Sequence, residues 1–298
     1  MTAPLVAPLF DRVAIIGIGL IGSSLARVIR RDSPATHITA CARRAETLEA
    51  VRRLKIADDT TDDAAAAVKN ADLVVLATPL SAYAAIAAQI APALKSGAIV
   101  TDVGSVKEAA IRDIAASLPK GVHFVPGHPV AGTEHSGPEA GFAEMFADRW
   151  CILTPPPDTD PAAVAKITAL WRLARMKIVQ MPAEHHDRVL AVTSHLPHLI
   201  AYTIVGTATE LGQDLQSEVV AYSAGGFRDF TRIAASDPVM WRDIFLANSE
   251  AVLELLQRFS EDLTALQRAI RRGDGDTLHD WFTRTRAIRR SIIEAKQA

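Results

Sequence analysis

Short apolar runs alternate with amphipathic stretches through the first 181 residues of the chain. Val13–Ile16 is a compact apolar run of the kind buried on both faces of a parallel sheet, and a helix-like segment follows it through Arg31. Ile38–Cys41 is the next expected strand and Ala45–Leu54 the next helix. Leu73–Ala77, Ala98–Thr101, His123–Val125, Cys151–Thr154 and Lys177–Met181 continue the strand series, with helical patterns at Lys107–Leu118 and Pro161–Arg175 between several of them. Strand–helix alternation with short turns predicts an α/β domain built on a doubly wound parallel sheet.

The pattern changes at Pro182. No convincing strand follows, and the apolar spacing is helical almost to the end, which places a domain boundary there: residues 1–181 form an α/β domain and residues 182–298 an all-α domain. Val252, Leu256, Phe259, Leu263, Leu266 and Ile270 recur at alternating spacings of four and three, an apolar seam on one helix. Such a seam fits a core stripe or a subunit interface, and the two are compatible. Leu73–Leu94 is uncharged and long enough to span a membrane, but Pro79, Gln89 and Pro92 divide it into a strand and an alanine-rich helix, so no membrane span is expected. The amino terminus lacks a basic segment, and Asp11 and Arg12 interrupt its apolar character, so no secretory signal is expected.

Composition narrows the classes. In 298 residues, 32 Lys and Arg oppose 34 Asp and Glu, a formal charge of −2, which argues against a nucleic-acid partner. Hydrophobic residues at 49% and charged residues at 22% are those of an ordinary globular enzyme rather than a disordered chain. Two cysteines, Cys41 and Cys151, make no disulfide framework and suit a reducing compartment, the cytoplasm.

Gly17-Ile18-Gly19-Leu20-Ile21-Gly22 fits G-x-G-x-x-G, and it follows an expected strand and opens an expected helix, the context that gives this motif meaning. Gly17 permits the tight turn, Gly19 lets the backbone approach a pyrophosphate, and Gly22 allows close helix–strand packing. Gly17, Gly19, Leu20, Ile21 and Gly22, with Thr78 and Pro79 after the third main strand, are the candidate contacts to a dinucleotide. An acid for the adenine ribose is expected at the end of the second strand, where Ala42 stands instead, followed by Arg43 and Arg44. A guanidinium matches the extra phosphate of NADP, so NADP is favoured over NAD, although the same arginines would also serve as a solvated loop.

Three histidine- or arginine-bearing segments could carry chemistry. His128, in Gly127–Glu134, follows a strand and so lies near the carboxyl end of the sheet, where ligands bind in such folds. Spacing alone leaves it open whether His128 is catalytic or a loop histidine bonded to backbone. Ser105, after the Ala98–Thr101 strand, could face a cofactor or simply cap the next helix. His195 and His198 share a helical face if Pro197 only kinks the helix. Glu184, His185 and His186 are nearby, but no HExxH pattern or zinc spacing occurs and no metal is expected. Gly225–Arg232 reads as a substrate loop or as a tight turn with surface ion pairs.

Taken in order, Asp102–Lys107, His128–Glu134 (HPVAGTE), Ser194–His198 (SHLPH) and Gly225–Arg232 running into Ile233–Pro238 resemble the prephenate/arogenate (cyclohexadienyl) dehydrogenases over nearly the whole chain. The resemblance implies a Rossmann domain followed by an all-α dimerisation domain, a homodimer, an active site in the cleft between the domains, and oxidative decarboxylation on the route to tyrosine. It implies that His128 is the catalytic histidine bonded to the substrate ring hydroxyl, with Ser105 holding that hydroxyl and the nicotinamide. It also implies that His195 and His198 line the substrate pocket and Arg232 binds a substrate carboxylate, while Gly225 and Asp229 shape that loop. Thr133 and Glu134 would stand at the pocket entrance. Ala42 departs from the relatives that prefer NAD.

The residue types suit that chemistry. Hydride leaves the ring carbon that bears the hydroxyl, the hydroxyl gives up its proton, and the ring carboxylate leaves as carbon dioxide. Aromatisation supplies much of the driving force, so the protein chiefly aligns the reactants and accepts a proton. Two other classes share parts of the pattern. A β-hydroxyacid dehydrogenase resembles its relatives in using a lysine on the helical side, and no lysine occurs between Lys177 and Lys296. A dinucleotide-binding redox sensor would need neither His128 nor Arg232. Prephenate as against arogenate, or both, stays open at this level.

Overall fold

The computed structural model describes residues 8–133, 135–210 and 225–294. Six strands, β1 (Arg12–Ile16), β2 (His37–Cys41), β3 (Asp59–Thr61), β4 (Leu73–Leu76), β5 (Ile99–Asp102) and β6 (His123–Val125), form a parallel sheet in the order β3-β2-β1-β4-β5-β6. Strand order reverses between β1 and β4, the switch point at which doubly wound sheets bind ligands. The central strands are apolar throughout because both faces are covered. Val13, Ile15, Leu73 and Val75 join one core with α1 (Leu20–Asp32), while Ala14, Ile16, Val74 and Leu76 face the other. That second core also takes residues of α3 (Ala64–Val68), α4 (Tyr83–Ile90) and α5 (Lys107–Ala115). Between β2 and β3 runs α2 (Ala45–Leu54).

Two departures from the expected strands matter for the site. β3 carries no apolar run and was absent from the pattern; it is a short polar edge strand. The strands expected at Cys151–Thr154 and Lys177–Met181 do not extend the parallel sheet. They are β8 (Trp150–Leu153) and β9 (Lys177–Gln180), and with β7 (Gly127–Pro129) they form a separate sheet in the order β7-β8-β9. The cause is Pro126, which has no N–H to continue the β6 ladder; the chain turns there and β7 pairs antiparallel with β8. His128 is therefore a strand residue, opposite Ile152, and not a loop residue. Between β8 and β9, α6 (Pro161–Leu173) is capped by Asp160 and begins with proline.

The loop after β7 is fastened to α1. Arg27 donates to the Pro138 carbonyl at 3.0 Å, and Phe142 N–H donates to Ser24 Oγ at 3.0 Å. Gly141 is required at this closure, since a Cβ there would lie 2.1 Å from Ser23 Oγ.

Past Pro182 the described residues are helical, as the pattern predicts. α7 (Ala183–Leu190) runs through a π-helical turn, Ala191–His195, into α8 (Leu196–Glu210). The π turn directly precedes Pro197, whose missing N–H and ring need such a local rearrangement, so the helix continues rather than stops. The 28-residue run Ala183–Glu210 is long and apolar enough by composition to cross a membrane, whereas Leu73–Leu94 is broken into a strand and short helical pieces. α9 (Gly225–Thr231) leads through a 3-10 turn, Arg232–Ala235, to α10 (Pro238–Ala247), capped by Asp237. Trp241 and Ile244 of α10 join the second core beside Leu80 and Tyr83, and Ser81 donates to Asp243 at 2.5 Å.

The chain divides into two compact units, Met1–Ser249 and Glu250–Ala298. Most of α11 (Ser249–Arg272) and all of α12 (Gly275–Glu294) make the second. Gly273, at φ +67°, ends α11, with Asp274 N–H returning to the Ala269 carbonyl. Of the expected seam, Val252 is buried, Leu256, Phe259 and Leu266 are half-buried, and Leu263 and Ile270 are 55% and 67% exposed. Core packing within the chain therefore does not use the whole stripe.

Candidate active site

The fingerprint turn has the form that a pyrophosphate needs. Gly17 has φ +91°, and a Cβ on it would sit 2.3 Å from the Ala77 carbonyl oxygen. A Cβ on Gly22 would lie 2.2 Å from the Gly17 oxygen, so helix and turn touch only because both residues are glycine. At Gly19, by contrast, a Cβ would meet nothing within 4 Å: the space beside the first turn of α1 is open. Gly19 is the N-cap, no side chain caps α1, and Leu20 and Ile21 are half-buried in its first turn. Uncapped N–H groups and the positive end of the helix dipole thus face open space. Thr78, beside Gly17, has a buried Oγ1 with no hydrogen-bond partner, a polar atom in need of a ligand; Pro79 next to it is exposed. These features fit a dinucleotide.

Ala42 is half-buried at the end of β2, and Arg43 and Arg44 are exposed, with no ion pair among the described residues. The short strand β3 brings a feature that the sequence pattern missed. It places Asp62 and Asp63 close enough to Cys41 for their charge to add to burial in raising that thiol to about 11.

The chemistry-bearing residues gather where β5, β7, α5 and α7 meet. Asp102 ends β5, fully buried, and accepts from Tyr83 Oη at 3.2 Å, Gly104 N–H at 2.9 Å and Gly127 N–H at 3.2 Å. Its fourth partner is the ammonium of Lys107, itself wholly buried, which also donates to the Gly127 carbonyl at 2.7 Å. β7, and with it His128, is held to the sheet through both backbone groups of Gly127.

His128 Nδ1 lies 2.8 Å from His186 Nε2, and His186 Nδ1 lies 2.7 Å from Asp187 Oδ1. Asp187 also accepts the backbone N–H groups of Lys107 at 2.7 Å and Glu108 at 2.9 Å, capping α5 from another helix. Ser105 is consequently not the cap. Val106 is the N-cap residue with no side-chain bond, and the half-buried Ser105 hydroxyl makes no hydrogen bond among the described residues. Asn248 Nδ2 donates to the Asp187 carbonyl at 2.9 Å and lies 3.1 Å from His195 Nδ1. His195 therefore accepts at Nδ1 and carries its proton on Nε2, which is buried without a partner; Trp241 Nε1 is orphaned likewise. His198 stacks on Trp241 with centroids 3.6 Å apart and bonds the Ser194 carbonyl through Nδ1.

All four histidines are held below their ordinary range. Burial is the main cause for His128, which is driven well below 6.5, with the charge of Lys107 added, and that of His186 or His195 whenever either takes a proton. Burial also lowers His186 against the pull of Asp187, and it takes His195 to about 4. For His198, burial is joined by the charge of Arg232, which places that guanidinium within electrostatic reach of the His198–Trp241 stack.

Of the sequence candidates, His128, His195 and Ser105 thus converge through Lys107, His186, Asp187 and Asn248, and His198 joins through Trp241. Thr133 is exposed, and its hydroxyl accepts from His135 N–H at 3.3 Å. Gly225 and Asp229 are exposed on α9, and no hydrogen bond or ion pair joins them to His128. Glu134 lies outside the described residues. His186, noted in the sequence only as a conceivable ligand, has both ring nitrogens engaged by His128 and Asp187. No cluster suited to a metal occurs among the described residues.

A doubly wound sheet with an open phosphate-binding turn, and a buried histidine cluster at the carboxyl end of the same sheet, fits a dinucleotide-dependent oxidoreductase. The family model for the nucleotide-binding domain of prephenate dehydrogenase matches residues 25–180, and that for its dimerization domain matches residues 182–284. The chain belongs to the prephenate dehydrogenase family. It is 44% identical over 283 residues to a cyclohexadienyl dehydrogenase of Zymomonas mobilis, covering 95% of this chain and 96% of the relative. Identity to a prephenate dehydrogenase of Bacillus subtilis is 34%, covering 91% and 73%. Among solved structures it resembles the Aquifex aeolicus prephenate dehydrogenase bound to hydroxyphenyl propionate and NAD+, with a TM-score of 0.87, 34% identity, and 95% and 98% of the two chains covered. It also resembles a Synechocystis arogenate dehydrogenase, with a TM-score of 0.78, 27% identity, and 94% and 99% covered.

The depressed histidines have a consequence for stability. Below about pH 6.5 the unfolded chain takes up protons that these four sites refuse when folded, so the stability present above that pH falls as pH drops toward the folded-state values. Urea unfolding midpoints should be level from about pH 7 to 8 and decline below about 6.5, each proton contributing about 1.4 kcal/mol per pH unit. Unfolding without proton uptake at about pH 5.5 would contradict buried neutral histidines here.

Proposed function

We propose that this chain oxidatively decarboxylates prephenate to 4-hydroxyphenylpyruvate in tyrosine biosynthesis, passing hydride to NAD(P). The observation that carries the reading is the buried His128, kept neutral by its surroundings, at the carboxyl side of the dinucleotide-binding sheet. A bound nicotinamide would supply the acceptor for hydride from the ring carbon that bears the hydroxyl. His128 accepts the hydroxyl proton, with Ser105 holding the same oxygen. The ring carboxylate leaves as carbon dioxide; its bonding electrons aromatise the ring, and the oxygen regains a proton. Arg232 binds a substrate carboxylate, while His195 and His198 line the pocket, with Glu134 and Thr133 at its entrance and Gly225 and Asp229 shaping its loop. Arogenate, with an amino group in place of the keto group, is the alternative substrate.

The purified chain should convert prephenate with equal yields of carbon dioxide and reduced cofactor, and with higher kcat/KM than for arogenate. His128→Asn should lower kcat by about 10²-fold or more with little change in substrate KM. Binding of dinucleotide without turnover of either substrate would instead make the chain a sensor.

NADP is the preferred cofactor in this reading, held by Gly17, Gly19, Leu20, Ile21, Gly22, Thr78 and Pro79, with Arg43 and Arg44 on the extra phosphate. The absence of a carboxylate at Ala42 supports it; the nearby charge of Asp62 and Asp63 supports NAD. Arg43→Ala should reduce kcat/KM for NADP more than for NAD, and a silent substitution in an enzyme that prefers NAD would leave the arginines as a solvated loop.

The functional division falls at Pro182, with a helical domain that dimerises, in the cytoplasm. The match to a dimerization domain supports the division and the dimer, and the exposed apolar residues Ile204, Leu253, Leu263, Ile270, Phe282 and Ile288 support the dimer. Sedimentation at micromolar concentration should give about twice the 32.0 kDa chain mass. A monomer there would return the seam to packing within one chain.

A further inference from the structure

We propose that His186, anchored by Asp187, is a positioning residue that fixes the tautomer of His128 so that its Nε2 carries the lone pair. The inference rests on the proposed role of His128 as proton acceptor and deepens it. Asp187 is a buried carboxylate that receives two backbone N–H groups, from Lys107 and Glu108 at 2.7 and 2.9 Å. Those bonds, made by donors that cannot be withdrawn, hold it as an acceptor. The proton in its 2.7 Å contact with His186 therefore sits on His186 Nδ1.

Neutral His186 with a proton on Nδ1 has a lone pair on Nε2, and that atom is 2.8 Å from His128 Nδ1. His128 must donate there, so its own Nε2 is left unprotonated. Were His186 charged, it would donate from Nε2, and neutral His128 would carry its proton on the wrong nitrogen. Burial, which lowers His186, works against that outcome. The titratable groups around His128 are His186, Lys107 and His195; with both histidines neutral, the charge that disfavours a second proton on His128 is that of Lys107. The carboxylates behind them are Asp102, paired with Lys107, and Asp187. The arrangement has the logic of a catalytic triad's orienting acid, with a second histidine interposed between acid and base.

Two substitutions separate positioning from packing. His186→Leu fills much of the same volume but offers no acceptor; His186→Gln offers an oxygen in its place. Leucine should lower kcat for prephenate by about 10²-fold while KM for prephenate and cofactor affinity change less than about threefold, and glutamine should recover most of the loss. Nitrogen-15 spectra of the ring nitrogens give a readout that needs neither substrate nor a variant. In the wild-type chain at about pH 7.5, His128 should show a protonated Nδ1 and an unprotonated Nε2, and the leucine variant should shift toward the opposite tautomer. A wild-type His128 protonated at Nε2, or a folded leucine variant with wild-type kcat, would overturn the proposal. If the leucine variant does not fold, the wild-type tautomer decides. A chain that turns over neither substrate but shows the expected tautomer would sink the proposed function and leave the positioning intact.

Discussion

The buried pair of Asp102 and Lys107 is the interaction on which the site depends. Two charges with no exposure are costly unless every partner is supplied, and here they are: Tyr83, Gly104 and both backbone groups of Gly127 complete the shell. Each partner belongs to a different piece of chain. The pair thus fastens the β5–α5 loop that carries Ser105 to the strand that carries His128, and does so at the carboxyl end of the sheet. Removing one member alone would strand the other charge in the core, a loss of about 3–5 kcal/mol for such pairs. A Cβ on Gly104 would fall 2.8 Å from Tyr83 Oη, so the loop is also shaped by what it cannot hold.

The helical segment after Pro182 completes what the sheet begins. Asp187 caps α5 in place of a local side chain, and this one carboxylate joins the start of the helical region to the loop that carries Ser105. The π turn before Pro197 lets the helix carry on from that anchor and bring His195 inward against Asn248. Burial then sets their chemistry: apolar surroundings that stabilise the fold also deny protons to the histidines, leaving neutral bases and unpaired N–H donors within the buried cluster.

Much of this was legible in the sequence, for identifiable reasons. The central strands are continuous apolar runs and the fingerprint glycines sit at fixed places relative to them, so the sheet and its phosphate turn could be read directly. β3 and β7 could not: one is short and polar at an edge, the other is Gly127-His128-Pro129, which reads as a turn until β8 is there to pair with it. Ser105 resembled a cap because the true cap, Asp187, lies 80 positions beyond Lys107, whose N–H it accepts. His186 was visible only as one of several histidines in a row. Its neighbour in space, His128, is 58 positions distant, and no local spacing rule connects them. The signal available was the dipeptide His186-Asp187 at the start of a helix whose inward face is otherwise apolar. The seam from Val252 to Ile270 could be a core stripe or an interface by spacing alone, and only the exposure of Leu263 and Ile270 shows that the chain leaves part of it uncovered.

What unites these features is a histidine that stays uncharged because the loss of water, and with it the charge of a buried lysine, opposes its protonation. Following the His128 ring proton resonances through a pH titration of the wild-type chain tests this directly. His128 should remain neutral at about pH 5.5, well past the ordinary histidine midpoint of about 6.5. A His128 that gains its proton with a midpoint near 6.5 or above would contradict it.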